Sequence, residues 1–107
     1  MILDSQDYKV IFDNKIAPEI EELGFELQQN HDSTAFYLFK LPQGQSFSLQ
    51  INAYYYRHGL NTFQMILELF GDILFETDAK HKKGATYLEE DDILKTVNEL
   101  IEFLLSD

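Results

Sequence analysis

The feature that most constrains the fold is a change of hydrophobic period along the chain. Residues 46–69 alternate apolar and polar side chains, with Leu49, Ile51 and Met65 among the apolar ones. This period of two is typical of strands that bury one face. On either side of the central region, apolar residues recur three to five positions apart, which is the spacing of an amphipathic helix. The sequence therefore predicts a sheet between an N-terminal and a C-terminal helix.

The predicted strands are short and are separated by turn sequences. Turn residues cluster at 30–33, in Pro42-Gln43-Gly44, in His58-Gly59 and in Gly71-Asp72. The strands predicted between these turns cover residues 25–28, 34–41, 46–56, 62–69 and 73–77. Consecutive strands joined by tight turns form an antiparallel meander, here of four or five strands. For residues 85–88 the sequence leaves two alternatives open, a short strand or the approach to the last helix.

Both ends of the chain are predicted to be helical. Residues 4–23 have an amphipathic pattern, in which Pro18 predicts a kink or a restart with the proline in the first helical turn. Acids at 89–92 suit the positive end of a helix macrodipole, and an apolar stripe from Ile93 to Leu104 follows them. Both stripes need the same apolar sheet face. We therefore expect one α+β domain over residues 1–107, with both helices packed on one face and the other face open.

The composition limits the class of protein. The chain has no cysteine, which excludes disulfides, thiolate metal sites and cysteine nucleophiles and suits a reducing compartment. Its first residues reach an acid at Asp4, without the basic and then apolar segments of a signal peptide. No apolar run approaches membrane-spanning length. We therefore expect a cytoplasmic protein without a membrane segment.

The net charge of −11 is concentrated at the two ends. Residues 1–27 hold seven acids against two lysines, and residues 89–107 hold seven against one. Residues 28–88 are balanced, and within them Asp72, Glu76 and Asp78 are matched by three lysines at 80–83. Phosphate polyanions repel a chain this acidic, so the sequence predicts no direct DNA or RNA binding. The same charge accelerates encounter with a basic protein, although it is also an ordinary source of solubility.

No catalytic or cofactor motif stands out in the sequence. His31, His58 and His81 fall in separate predicted turns or loops without metal-ligand spacing. The acidic run at 89–92 lacks the alternating ligands and the glycine of a calcium loop. Glu68 and Glu76 are the acids that lie in predicted strands, and neither is predicted to be catalytic. We therefore expect a protein that is not an enzyme and binds no cofactor or metal.

The predicted open face of the sheet is the candidate interaction surface. It is nearly free of charge and includes Tyr54 and Tyr56, whose rings provide a large contact area with a polar tip. The candidate partner-binding residues are Ser48, Gln50, Asn52, Tyr54, Tyr56, Gln64 and Ile66. A solvated sheet face has a similar content of serine and glutamine, so this second interpretation is kept beside the first.

The junction Glu22-Leu23-Gly24-Phe25, followed by a strand meander and an acidic last helix, resembles small bacterial immunity proteins of polymorphic toxin systems. The resemblance implies a non-catalytic inhibitor that binds a toxin domain tightly, and it assigns no functional residue. Our leading hypothesis is a small acidic protein-binding module that inhibits or regulates a basic protein partner. The alternatives are a structural homodimer pairing through the open sheet face, a small ligand-binding protein with a pocket between helices and sheet, and an acidic phage-type inhibitor of host defence.

Overall fold

The computed structural model describes residues 1–31 and 33–106. The strands are β1 (Glu26–His31), β2 (Thr34–Lys40), β3 (Ser46–Tyr56), β4 (Gly59–Leu69) and β5 (Asp72–Asp78), and the helices are α1 (Ser5–Ile11), α2 (Ala17–Glu22) and α3 (Glu90–Leu105). The five strands form one antiparallel sheet in the order β1-β2-β3-β4-β5. The predicted α+β meander is confirmed. The turn predicted at 30–33 includes Asp32, which lies outside the described residues.

A π-helical segment, Phe12–Ile16, joins α1 to α2. The backbone N–H of Ala17 donates to the carbonyl of Phe12, five residues earlier. Pro18 follows in the first turn of α2, where a helix has no use for the N–H that proline lacks. The predicted restart at Pro18 is therefore confirmed.

None of the described helices is long and apolar enough to cross a membrane.

The core lies between one face of the sheet and the helices. It includes Ile16, Ile20, Tyr37, Leu49, Ile51, Phe63, Met65, Leu67, Ile93 and Leu100, each of which is at most 1% exposed. Helix α1 packs on β4, and α3 packs on β4 and β5. Because both helical stripes are buried against this face, the opposite face of the sheet is left uncovered by the described helices.

Two chain segments complete the edge of the sheet beyond the end of β5. The N–H of Leu60 donates to the carbonyl of Leu3 at 2.7 Å, and the N–H of Leu88 donates to the carbonyl of Leu60 at 2.9 Å. Residues 85–88 are not a strand, which resolves the alternative that the sequence leaves open. They form the approach to α3. Their one backbone hydrogen bond to the sheet is made by Leu88, which is fully buried.

Candidate functional site: the open face of the sheet

The open face is the side of the sheet that the helices leave uncovered. Directly paired residues of antiparallel strands point to the same face, so the register shows which side chains share it. The pairs across β3 and β4 on this face are Ser48 with Glu68, Gln50 with Ile66, Asn52 with Gln64 and Tyr54 with Thr62. Tyr56 lies two residues after Tyr54 on β3 and continues the same side. The fold thus brings all seven predicted residues into one surface.

The two tyrosines are the most accessible members of this set. Tyr54 is 51% exposed and Tyr56 is 48% exposed. The guanidinium of Arg57 lies 5.3 Å from the centroid of the Tyr56 ring, at the distance of a cation–π contact. Asn52 differs from them because it is only 5% exposed. Its side chain therefore supports its neighbours and offers little contact area of its own.

A chain of hydrogen bonds crosses the open face over three strands. The Nδ2 of Asn52 donates to the Oε1 of Gln64 at 3.4 Å. The Nε2 of Gln64 then donates to the Oε2 of Glu76 at 3.3 Å. Since the Gln64 amide both donates and accepts, the middle of this face is ordered without help from a partner. Glu76, one of the two acids predicted to lie in strands, is the end of this chain.

The open face has an apolar centre, of which the sequence indicated only Ile66. Phe36 of β2 pairs with Gln50, and Leu38 pairs with Ser48, so both side chains are on the open side and each is half-buried. Ile66 lies on the other side of Gln50. The β2 sequence is apolar at five consecutive positions, 35–39, and alternation therefore could not show which of its residues face outwards.

The turn beside the tyrosines has an unfavourable backbone. Arg57 has a φ of 49° and His58 a φ of 70°, in the left-handed region that two-residue hairpin turns require. Asn-Gly is the preferred sequence there; the Arg57 side chain makes this conformation costly, and histidine adopts it more readily than most residues but less readily than glycine. Backbone strain of this kind tends to persist near functional sites. The unfavourable turn lies at the end of the open face where Tyr54 and Tyr56 are exposed.

The acids at the start of α3 are partly neutralised by two lysines from other parts of the chain. The Nζ of Lys82 lies 2.8 Å from Asp91 and 2.9 Å from Asp92, and Lys15 forms an ion pair with Glu90. The hydrogen bonds to the two aspartates raise the pKa of Lys82, and the hydrogen bond from Lys82 lowers the pKa of Asp91. The acidic start of α3 is thus a capped and paired helix end, which makes it poorly suited to bind an external cation.

The three histidines lie in β1, in the β3–β4 turn and in the loop before α3. Within residues 1–31 and 33–106, no three histidine, aspartate or glutamate side chains converge as a metal site.

An apolar recess of about 250 Å³ lies where the sheet meets the ends of the helices. It is lined by Leu23, Phe25, Phe39, Phe47, Leu104 and Leu105. This volume is below the roughly 300 to 1,000 Å³ of ordinary small-molecule pockets.

No protein-family model matches this chain, and no curated protein or solved structure is significantly similar to it. The resemblance to immunity proteins therefore stays a hypothesis, and the function is inferred from the surface of the molecule.

Proposed function

We propose that this protein is a small acidic protein-binding module, of the inhibitor or immunity type, whose open sheet face binds a basic protein partner. The observation that supports this proposal most is an ordered and uncovered face with an apolar centre and two exposed tyrosines beside it. The centre consists of Phe36, Leu38 and Ile66. Interface cores have this composition, because they are depleted of charge and enriched in aromatic side chains.

The acids of the N-terminal helix have a different role in this proposal. Glu19, Glu21 and Glu22 are exposed, and none of them is in an ion pair with a described cation. Exposed charges are screened over about 8 Å at physiological salt, whereas aromatic area removed from water contributes roughly 25 cal/mol per Å² at any salt concentration. We therefore expect the acids to accelerate association and the open face to slow dissociation.

The test begins with capture of partners on the immobilised protein, followed by surface plasmon resonance with the captured partner. The double variant Tyr54→Ala and Tyr56→Ala should accelerate dissociation by about tenfold or more. Replacing Glu19, Glu21 and Glu22 by glutamine should mainly slow association and weaken its salt dependence. The control is Val10→Ala, which shortens another exposed apolar side chain on the helical side.

The opposite result would locate recognition elsewhere. If the tyrosine variant dissociates at the wild-type rate while the glutamine variant no longer binds, the acidic helix is the recognition surface. Mimicry of a nucleic-acid polyanion would then be the better explanation of the charge.

A homodimer is the second candidate function, favoured by the apolar centre of the open face, which a second copy would remove from water, and opposed by the carboxylates of Glu68 and Glu76 on the same face. Sedimentation velocity of the protein alone distinguishes the two. We expect the mass of a monomer. If the wild type sediments as a dimer and the tyrosine double variant as a monomer, the homodimer is the better explanation and our proposal is wrong.

A further inference from the structure

Strand β5 is an edge strand with free backbone groups. The N–H of Ala79 donates to the carbonyl of Phe63 in β4 at 2.8 Å. Since the backbone direction alternates along an antiparallel strand, Glu76 and Asp78 turn their N–H and C=O groups away from β4. In the described ranges no backbone group pairs with them there. Such an edge is a template for a further strand.

A bulge limits how much of this edge is regular. Phe75 pairs with Leu67 and Ile73 pairs with Glu68, so Leu74 is an additional residue on β5. Bulges interrupt pairing and twist an edge strand. The regular part of the edge is therefore residues 75–78. It is long enough for a short extended segment and too short for a long intermolecular sheet.

Exposed apolar side chains surround this edge. Phe70 is 72% exposed and Ile73 is 55% exposed, and Leu74 and Phe103 are also exposed. The ring of Phe103 stacks on that of Phe75 with 4.7 Å between centroids, so helix α3 forms an apolar wall beside the strand. Phe70 also has a φ of 55°, an unfavourable conformation for an aromatic residue. An added strand would therefore gain side-chain contacts as well as backbone hydrogen bonds.

The same edge is acidic, and its carboxylates are in no ion pair with a described cation. A recess of about 300 Å³ beside it is lined by Phe75, Glu76, Thr77, Glu99 and Glu102. The Oγ1 of Thr77 donates to Glu99 at 2.7 Å. In the part of the chain that the structure describes, no lysine, arginine or histidine pairs with the carboxylates of Asp72, Glu76, Asp78, Glu99 or Glu102.

This charge selects the occupant. A second copy of the chain paired along the same edge would place carboxylates opposite carboxylates, which destabilises strand pairing. An extended segment with cationic side chains would instead supply counter-charges to Glu76 and Asp78, which lie on the open side of the strand. Charge complementarity therefore favours a basic segment over self-association.

We propose that β5 binds an extended segment of a basic protein, with alternating cationic and apolar side chains, as a sixth antiparallel strand. This inference rests on the proposed function for the identity of the partner as a basic protein, and it adds how part of that protein is held. The segment would bond to the outer backbone groups of Glu76 and Asp78. Its apolar side chains would contact Phe75 and Phe103 on the helical side, and its cations, on the other side of the added strand, would face Glu76 and Asp78.

The probe for this site is a synthetic peptide of alternating lysine and valine. Its control has the same sequence with N-methyl groups on the amides that would face β5. We expect the peptide to shift the backbone amide resonances of Glu76 and Asp78 in ¹⁵N spectra of the full chain and to slow their hydrogen exchange. The N-methylated control should bind about tenfold more weakly or worse, since it keeps the charge and loses the backbone donors. Equal binding by both peptides, or shifts confined to other acids, would overturn strand addition.

The peptide experiment is separable from the test of the proposed function. It needs no captured partner, and it can be repeated with the Tyr54→Ala and Tyr56→Ala variant, whose substitutions lie on β3. Peptide binding by that variant, together with its loss of the captured partner, supports both proposals as distinct contacts. Failure of the peptide alone overturns strand addition and leaves the open-face proposal to its own test.

Discussion

Replacing Tyr37 by phenylalanine tests an unusual feature of the core. The Tyr37 ring is fully buried on the helical face of β2, and its hydroxyl has no hydrogen-bond partner among the described residues. Burial, followed by the nearby carboxylates of Glu21 and Asp13, raises the pKa of Tyr37 from 10.0 to about 12. The substitution removes the hydroxyl and keeps the ring in place.

We expect Tyr37→Phe to stabilise the fold, and more so at alkaline pH. A buried hydroxyl without a partner costs about 1–3 kcal/mol, from which the small void left by the oxygen subtracts a part, so we expect a gain of about 1 kcal/mol at pH 7. The folded chain holds the Tyr37 proton more tightly than the unfolded chain. The stability due to that proton is present below about pH 10 and is lost between about pH 10 and 12. At pH 11 this loss adds about 1 kcal/mol to the advantage of the variant.

Urea unfolding followed by circular dichroism at pH 7 and pH 11 measures both effects. Tyr54→Phe, which removes the same atom from a half-exposed ring, is the matched control and should change stability at pH 7 by less than about 0.5 kcal/mol. If Tyr37→Phe destabilises the protein by more than about 1 kcal/mol at pH 7, the hydroxyl has a strong hydrogen bond, for which the Glu21 carboxylate, which contributes to the raised pKa of Tyr37, is the candidate acceptor. If the difference between variant and wild type does not widen at pH 11, the proton linkage is wrong.

Three further predictions follow from the core, the charges and the hairpin turn. Ile51→Asp should lower the free energy of unfolding by several kcal/mol, on the order of the cost of a buried unpaired charge, whereas Gln50→Asp on the open face should cost far less. Equal losses of stability in thermal unfolding would contradict the assignment of the two faces. Lys82→Met should make the free energy of unfolding fall less steeply at acid pH. The lowered pKa of Asp91 gives the wild type a stabilising contribution that disappears as pH falls through that pKa. If urea titrations at a series of acid pH values show the same decrease for the variant and the wild type, this ion pair contributes nothing to stability. Replacing Arg57-His58 by Asn-Gly should stabilise the hairpin by about 1–2 kcal/mol in chemical denaturation, and a lower stability would show that the turn is not strained.

The sequence predicted β3 and β4 well because their side chains alternate strictly. Leu49 and Ile51 are buried and Gln50 lies on the open face, as the period of two indicated. In β2 the same rule had nothing to act on, since residues 35–39 are all apolar. Only the register with β3 shows that Tyr37 is core and that Phe36 and Leu38 are on the open face. Of the three residues of the apolar centre, the sequence therefore indicated Ile66 but not Phe36 or Leu38.

The exact shape of the backbone was also beyond prediction. Pro18 predicted a kink or a restart of the first helix, but nothing in the sequence indicated the π-helical segment that precedes it. The bulge at Leu74 likewise has no signal in the sequence and is seen only in the pairing of β5 with β4. In both places local propensity permits several backbones, and tertiary packing selects one.

Charge along the chain was the least reliable guide to charge in space. The sequence suggested that Asp72, Glu76 and Asp78 are balanced by the lysines at 80–83, but Lys82 forms its ion pairs with Asp91 and Asp92 of α3. The loop turns towards α3, where two carboxylates hold the ammonium group more strongly than one carboxylate on an exposed strand. The formally neutral middle of the chain therefore contains an acidic strand edge. At β5, where the open face ends, the carboxylates are in no ion pair with a described cation, so the cations of an extended segment of the partner would find free negative charges there. At the start of α3 the carboxylates already form ion pairs with lysines of the chain itself.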